Sequence, residues 1–460
     1  MTQRYRWSAG QRSAVAAVVW LVASACLAAG FRSNAWRVAD QRRFERQNFG
    51  MEAHVVGRLV KSRQDGILSA GGLLGLGTED GRPIDWWDVP GREQFDVYLG
   101  GGEFAAYEVY ASHPGGQGIL FSALDGLTGA PPDLTLDVFR SITAVLGGLA
   151  VGLVVTWFFL QFGPATAGVV FLGAIGSSWL TVFGGKMFWA LWAFYVPMLT
   201  TMFCLRDALH VNRRVLLRLG VLVCAAMFVK TLFTGYEYFT TAAVMAVVPV
   251  VHYCLRHGWT AGERRAALLV TVGALGLALA LALAVLLIQI GAVRGSAWAG
   301  VDHVLDALRK RTYADPADYA RMGHEVPVVE VVVGYLKAVW LDVNAFIRAP
   351  NDFVAWYLFR VRFAQLIAGF GLASLLLLGL SRRERDDDAR RVTAGLVAAT
   401  WFSLLAPLSW FVLFKAHSAI HVGMNQIAWH MPFVLFGFAV VGRLLDRSVA
   451  RAVARDDVAP

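Results

Sequence analysis

The sequence predicts an all-α, polytopic membrane protein, and three observations lead to that fold class. Of its 460 residues, 57% are hydrophobic, and the mean hydropathy is +0.52. Long apolar runs recur along the chain, several of them near the ~20 residues that cross a bilayer. Short basic clusters separate these runs, as in the cytoplasmic flanks of membrane helices. The net charge of +9 is therefore assigned to membrane flanks, and no nucleic-acid partner is expected.

Ten apolar runs define the predicted transmembrane helices. They are residues 13–31, 137–160, 164–183, 187–205, 214–231, 239–255, 266–293, 363–380, 392–414 and 431–445. The first run follows a basic stretch, as a cleaved signal peptide does, but the many later spans favour an uncleaved first helix. Together the runs predict one transmembrane domain, residues 1–445, and a cytoplasmic tail, residues 446–460.

The basic clusters predict the side of the membrane on which each connection lies. The N-terminus, three connections and the C-terminal tail are basic, and a ten-helix arrangement with a cytoplasmic N-terminus puts all of them on one side. Both termini are then cytoplasmic, and the expected location is the inner (plasma) membrane of the cell. Two large loops, residues 32–135 and 294–362, lie on the opposite side, where we expect amphipathic helices and the functional surface.

Charged residues are scarce in the centres of the predicted spans. An ion-coupled transporter keeps charges near the midplane, because a charge there is costly and is retained only for function. In this chain Lys186, Lys230, Glu237, Lys415 and His417 map to the outer ends of the spans. This pattern favours an extracytoplasmic enzyme that acts on a lipid-borne substrate.

The first outer loop contains three candidate catalytic carboxylates. Glu52 opens a segment whose valines and leucine recur at helical spacing, which predicts an amphipathic helix lying on the membrane. Asp40 precedes this helix, and Asp65 stands at its end beside Gly66. A glycine-rich run, residues 69–77, has no Gly-Lys-Ser/Thr ending, so it is predicted to be a flexible loop and not a phosphate-binding loop.

Several polar residues at the outer boundary are candidates for contacts with substrate. His54 follows Glu52, and His113 and Gln117 precede a second predicted amphipathic helix. Lys230 and Glu237 form either an ion pair among belt tyrosines or part of a substrate site. Arg348 lies in the second large loop, where lipid headgroups are an alternative partner.

A final polar segment follows the ninth predicted span. His417, His421 and Asn425 are spaced i, i+4 and i+8 after Lys415, so a continuous helix would align the three on one face. Three interpretations stay open: polar contacts to phosphate or sugar, a divalent metal site, or a solvated helix end. Two histidines four residues apart can bind zinc, but no glutamate accompanies them as in the metalloprotease motif.

The order of these elements resembles the C-type glycosyltransferase superfamily, in particular its protein O-mannosyltransferase and aminoarabinose-transferase branch. In that family an Asp-Glu pair begins a surface helix in a large first outer loop, followed by a Gly-Asp turn and a Lys-Pro-Pro-Leu-like element. Here Met51-Glu52 stands at the acidic pair, Asp65-Gly66 near the turn and His113-Pro114-Gly115 near the proline element. The resemblance covers roughly residues 10–205. One acid replaces two, so the base is Glu52 as first choice, or Asp40 or Asp65.

The resemblance implies inverting transfer of a sugar from a polyprenyl-phosphate donor to an extracytoplasmic glycan, lipid or protein. A carboxylate takes the proton of the acceptor hydroxyl, and cations stabilise the leaving phosphate. Lys415, Lys230 and Arg348 are the candidates for the phosphate. No cofactor is assigned, although a divalent metal stays an alternative. Two other functions remain open: a lipid-linked polysaccharide polymerase, ligase or flippase, and a non-catalytic scaffold for envelope assembly.

Overall fold

The computed structural model of the protein describes residues 8–46, 50–84, 91–312, 326–343, 354, 359–384 and 386–456. In chain order the helices are α1 (Ala9–Ser33), α2 (Gln41–Arg46), α3 (Ala53–Asp65), α4 (Gly91–Gly100), α5 (Gly116–Thr128), α6 (Pro132–Phe162), α7 (Pro164–Ile175), α8 (Ser178–Gly184), α9 (Leu191–Leu205), α10 (Arg213–Thr234), α11 (Phe239–Arg256), α12 (Ala261–Arg294), α13 (Ala297–Thr312), α14 (Val328–Lys337), α15 (Phe363–Ser381), α16 (Asp387–Ser403), α17 (Leu405–Leu413), α18 (Lys415–Ile420), α19 (Val422–Asn425) and α20 (Phe433–Asp456). The strands are β1 (Leu74–Thr78), β2 (Ala106–Tyr110), β3 (Val339–Asp342) and β4 (Arg360–Arg362).

Apolar helices long enough to cross a membrane dominate the described part of the chain. Seven qualify singly: Gly10–Ser33, Pro132–Phe162, Arg213–Thr234, Phe239–Arg256, Ala261–Arg294, Phe363–Ser381 and Asp387–Leu413. Two bent pairs, α7 with α8 (69°) and Val422–His430 with Phe433–Ser448 (41°), raise the number to nine if each pair is one span. The polytopic membrane fold is confirmed, with seven to nine spans. The remaining predicted run, residues 187–205, corresponds to α9, whose 15 residues are fewer than the ~20 of a straight span.

The connections that carry the basic clusters lie together at one end of the bundle. Trp259 Nε1 donates to the Ala208 carbonyl (3.1 Å), which joins the connection after α9 to the connection after α11. Arg443 Nη1 in α20 donates to the Phe162 carbonyl at the end of α6 (3.2 Å). We call this end, with residues 206–218, 256–265, 382–384 and 386–391, the basic end. The other end, with residues 34–46, 50–84, 91–131, 235–238, 295–312 and 326–343, is called the loop end.

The first loop is a packed domain, and α3 lies inside it. Every residue from Ala53 to Val60 is buried, so the prediction that this helix lies on the membrane is wrong, although its start after Glu52 is correct. The reason is Arg58, whose guanidinium is fully buried and donates to the carbonyls of Gly66 (3.0 Å) and Ile67 (2.7 Å). These carbonyls replace water, so the polar face of the helix can also be buried.

The glycine-rich run forms a 3-10 turn, Ser69–Gly72, and strand β1, so the prediction of a flexible loop there is wrong. β1 pairs antiparallel with β2, and all five of its residues are buried. Its glycines are needed for packing, since a Cβ at Gly77 would overlap the ring of Phe104. On the other side, the Gln94 side chain accepts from Gly77 N (2.9 Å) and donates to Gly77 O (2.7 Å).

The second loop folds back over the bundle. α12 ends at Arg294, and the next residue, Gly295, has a φ of +73°, which glycine readily adopts. α13 then returns along α12. Gly300 makes this return close, because a Cβ there would lie 3.1 Å from the Leu287 carbonyl. His303 Nε2 lies 3.1 Å from the Ala111 carbonyl of the first loop. This path places the end of α13 beside the turn between α10 and α11.

Candidate functional site

The turn between α10 and α11 positions Glu237 at the loop end. Gly235 adopts φ +58° and Tyr238 adopts φ +49°, so the chain reverses within four residues. The fully buried Lys230 holds this turn, because its Nζ donates to the carbonyls of Gly235 (2.9 Å) and Glu237 (2.6 Å). Two of the three N–H donors of Lys230, a predicted phosphate ligand, are thus used by the turn itself.

The Glu237 carboxylate lies among cationic and polar side chains from distant parts of the chain. Its Oε1 accepts from Arg311 Nη2 of α13 (2.7 Å), and its Oε2 lies 3.7 Å from His417 Nε2. Oε2 is buried and has no hydrogen bond among the described residues. Burial is the largest single effect on the Glu237 carboxyl and raises its pKa, but Arg311 and the neighbouring histidines together outweigh burial and lower the pKa to about 2. Glu237 is therefore ionised at neutral pH, with one oxygen available.

His113 lies against the same turn. A Cβ at Gly235 would overlap the Cβ of His113, and the His113 ring also contacts Tyr110 and Phe188, with centroids 5.5 and 5.3 Å away. Both ring nitrogens are buried and make no hydrogen bond within the described residues. Burial lowers the pKa of His113 to about 3. The imidazole is thus neutral, with a donor and an acceptor available to a polar ligand.

His54 and Gln117 lie behind His113 in the first loop. The His54 ring packs on the edge of Tyr110, with centroids 4.8 Å apart, and its Nδ1 lies 3.2 Å from the Met51 carbonyl. Burial lowers the pKa of His54 to about 4. Gln117 Nε2 donates to the Phe188 carbonyl (3.2 Å), while its Oε1 is buried without a hydrogen bond. His54 thus packs on Tyr110 and Gln117 bonds to Phe188, the two residues whose rings contact His113.

The segment after α17 brings its polar residues together although its helix is broken. α18 ends at Ile420 and α19 begins at Val422, so the predicted continuous helix is wrong. The rings of His417 and His421 are nevertheless 4.6 Å apart. Asn425 Nδ2 lies 3.4 Å from the His417 carbonyl, and Asn425 Oδ1 accepts from Tyr238 Oη (2.6 Å).

The residues that meet at this place are named the Glu237 cluster. They are Glu237, Arg311, His113, His417, His421 and Asn425. Burial lowers the pKa of His417 to about 3 and also lowers the pKa of His421. Lys415 begins α18 and is half-buried. It stands two residues before His417 and hence on a different face of the helix.

Metal ligation finds no support in the part of the chain that the structure describes. No three His, Cys, Asp or Glu side chains there are grouped so that they could hold a metal ion. The geometry instead offers hydrogen-bond donors and acceptors, together with one ion pair.

Glu52 lies in a second buried site, where both of its oxygens are engaged. Oε2 accepts from Arg140 Nε (3.0 Å) and lies 3.0 Å from Arg140 Nη2, while Oε1 accepts from Met187 N (3.0 Å). Lys186 lies nearby and donates to the Phe44 carbonyl (3.2 Å). Burial lowers the pKa of Lys186 to about 8, and the charge of Glu52 opposes that effect. Glu52 thus ties α3 to α6 and to the α8–α9 connection.

The other predicted site residues lie elsewhere. Asp40 is exposed, and its Oδ1 accepts from Arg43 N (2.8 Å) at the start of α2. Asp65 pairs with Lys61 one turn earlier in α3, with 43% of its side chain exposed. Arg348 lies outside the described residues.

Arg311 is the member of the cluster that sequence reasoning did not single out. It was one residue of a basic run, residues 309–311, with no feature to set it apart. Helical phase distinguishes it: Arg309 and Lys310 are exposed, whereas Arg311 is only 15% exposed and lies on the face of His303. That phase becomes visible only when the limits of α13 are known.

Comparisons of the chain with protein-family models, with curated proteins and with solved structures find no match. A function can therefore be proposed from the site alone.

Proposed function

We propose that this protein transfers a sugar from a polyprenyl-phosphate donor to an extracytoplasmic acceptor, and that the Glu237 cluster is its catalytic site. One observation carries the proposal. A buried, ionised carboxylate lies beside a guanidinium and neutral imidazoles at one end of a membrane-spanning bundle, and one of its oxygens has no hydrogen bond to any described residue. The phosphate of a lipid-carried sugar lies at the level of the lipid headgroups, so a base and phosphate-binding groups are needed at that level.

Each step of the transfer has a matching group in the cluster. Glu237 takes the proton as the O–H bond of the acceptor hydroxyl breaks, and the hydroxyl oxygen bonds to the anomeric carbon. The bond from that carbon to the phosphate oxygen breaks, and its electron pair leaves with the polyprenyl phosphate. Arg311 and the imidazoles of His417 and His421 stabilise the phosphate by charge and hydrogen bonds.

Contacts favour Glu237 over Glu52 as the base. A general base must reach the proton that it takes, and both oxygens of Glu52 already accept from Arg140 and Met187. Glu237 Oε2 has no such partner within the described residues. Glu52, the first choice from the sequence, is assigned here to position the first loop. The loop end is extracytoplasmic in this proposal, since the opposite end carries the basic clusters.

The test is turnover of a labelled polyprenyl-phosphate sugar by purified protein in lipid nanodiscs. Glu237→Gln keeps the shape and removes the base, so turnover should fall by about 100-fold or more. Glu384→Gln is the matched control, because Glu384 also pairs with a buried arginine, Arg447, but at the basic end. It should leave turnover near that of the wild type.

Full activity of folded Glu237→Gln would remove Glu237 as the base. If Glu52→Gln alone then abolished turnover, the role would return to Glu52. Wild-type protein that transfers none of the sugars offered would contradict the proposed activity.

A further inference from the structure

Arg311 pairs with Glu237 and is also the cation that the proposed function assigns to the donor phosphate. Its Nη2 contacts Glu237 Oε1 at 2.7 Å, and the two side chains are 15% and 6% exposed, respectively. Lys230 is committed to two carbonyls of the turn. In the described part of the cluster, Arg311 is therefore the cation best placed for a bound phosphate, because a guanidinium binds two phosphate oxygens at once.

The same ion pair weakens Glu237 as a base. Burial raises the pKa of the Glu237 carboxyl, but Arg311, the strongest of the groups that oppose burial, and the nearby histidines together lower this pKa to about 2. A carboxylate with so low a pKa has little tendency to take a proton from a hydroxyl. The Arg311–Glu237 ion pair therefore suits the protein before the donor binds and is unfavourable for proton transfer to Glu237.

We propose that Arg311 changes partner when the donor binds, leaving Glu237 for the donor phosphate and thereby freeing the carboxylate to act as the base. This inference rests on the proposed function, and it adds an order of events to it: the donor must bind before the acceptor can be deprotonated. Protein without donor is protected from premature proton transfer, because its base stays paired.

The groups that face Glu237 from each neighbouring element allow this exchange. Lys230 holds the backbone of the turn, and Tyr238 is hydrogen-bonded to Asn425. His113 and His417 lie on either side, and burial keeps the pKa of each at about 3. Once Arg311 has moved, burial dominates the carboxyl, so its pKa rises towards the range of a general base.

The movement needs only the Arg311 side chain. α13 is held independently by the contact of His303 with the Ala111 carbonyl and by the close approach of Gly300 to Leu287. Arg311 occupies the last turn of α13, next to its end at Thr312. Rotation of its side chain can therefore exchange partners while the helix stays in place.

The test measures binding of farnesyl phosphate, a short polyprenyl phosphate without sugar, with farnesol as the uncharged control. Glu237→Gln removes the carboxylate that competes for Arg311, so the dissociation constant of farnesyl phosphate should fall by about tenfold. Arg311→Gln should raise the dissociation constant of farnesyl phosphate by about tenfold or more. In the Arg311→Gln background, the further change Glu237→Gln should have a much smaller effect, since the competition has been removed. Glu384→Gln should change nothing.

If Glu237→Gln strengthened farnesyl phosphate binding equally in the wild-type and Arg311→Gln backgrounds, the cause would be charge repulsion between Glu237 and the phosphate, and the exchange would be overturned. Unchanged binding by Glu237→Gln would overturn it as well. If Glu237→Gln does not fold, Glu237→Asp tests the same point. Its shorter side chain weakens the ion pair, so it should also tighten farnesyl phosphate, and unchanged binding by folded Glu237→Asp would overturn the exchange. Sugar transfer without this coupling refutes the exchange alone, whereas coupling without sugar transfer refutes only the transferase proposal.

Discussion

Two buried glutamates at the loop end differ in how completely they are paired. Glu52 has a guanidinium and a backbone N–H on its two oxygens, whereas Glu237 shares only Oε1 with Arg311. A fully paired buried carboxylate stabilises the arrangement around it, and removing its charge leaves the partner cation unpaired. A half-paired carboxylate keeps an oxygen for a ligand. The number of engaged oxygens therefore separates a structural role from a chemical one.

Glu52→Gln is expected to reduce stability strongly. Gln can still accept from Met187 N, but it removes the Glu52 charge that pairs with the Arg140 guanidinium, which is 18% exposed. Breaking such a pair from one side costs roughly 3 kcal/mol of unfolding free energy. A thermal-unfolding midpoint in detergent measures the loss. Asp80→Asn is the control, since Asp80 pairs with Arg82 at the surface and such pairs contribute about 0–1 kcal/mol. Equal midpoints for the two variants would contradict the structural role of Glu52.

At the scale of elements, the small sheet of the first loop depends on glycines. Gly75 and Gly77 of β1 face Tyr107 and Phe104 so closely that any Cβ would overlap a ring. The Gln94 side chain covers the other edge of the strand at Gly77. These contacts hold β1 against β2 and α4, and α3 packs on β1 where Gly57 approaches the Gly75 carbonyl. The sheet therefore positions His54 of α3 and His113, which follows β2. A glycine-rich segment is rigid here because its neighbours fill the missing side-chain volume.

Gly77→Ala should therefore disrupt the first loop. Overpacking a buried site costs typically about 1–3 kcal/mol, and here the added methyl group meets the Phe104 ring. Limited proteolysis within residues 60–110 should become faster. Gly126→Ala is the matched control: it is exposed, lies in α5 of the same domain and meets nothing within 4 Å. The control should be neutral or stabilise by about 0.5–1 kcal/mol. Unchanged proteolysis of Gly77→Ala would contradict the tight packing.

At the scale of the whole molecule, the bundle separates two kinds of connection. Basic clusters meet at one end through contacts such as Trp259 with Ala208. The two large loops and the Glu237 cluster occupy the other end, where Gln289 of α12 donates to the carbonyls of Gly71 (2.8 Å) and Pro114 (3.0 Å). This separation is what the positive-inside rule produces when the basic end is cytoplasmic.

Cysteine labelling in intact cells tests that orientation. The native cysteines, Cys26, Cys204, Cys224 and Cys254, are first replaced by alanine. An impermeant maleimide should then label Leu68→Cys and Leu127→Cys, whose parent residues are 74% and 81% exposed at the loop end. It should miss Leu209→Cys, at a residue 65% exposed at the basic end, until the membrane is permeabilised. Labelling of Leu209→Cys in intact cells would reverse or break the proposed topology.

Sequence reasoning predicted those features that depend on local pattern. Apolar length located the spans, and Glu52 was correctly put at the start of α3. The burial of α3 was missed, because the carbonyls that satisfy Arg58 come from a loop whose path no periodicity reveals. Polar residues at span ends indicated Glu237, His417 and Asn425, since charge is excluded from the lipid core. Their meeting with Arg311 depends on the return of α13, which is a tertiary contact.

The close approach of His113 to Gly235 has a consequence for biosynthesis. The first loop can build its own sheet as soon as β2 has been made, but His113 must wait for a partner about 120 residues further along the chain. At ordinary synthesis rates that delay is on the order of ten seconds. During this time the surface that later covers the α10–α11 turn stays uncovered. In the proposed orientation, a nascent chain of this protein would present a half-finished domain to periplasmic or luminal chaperones while its later helices are still leaving the ribosome.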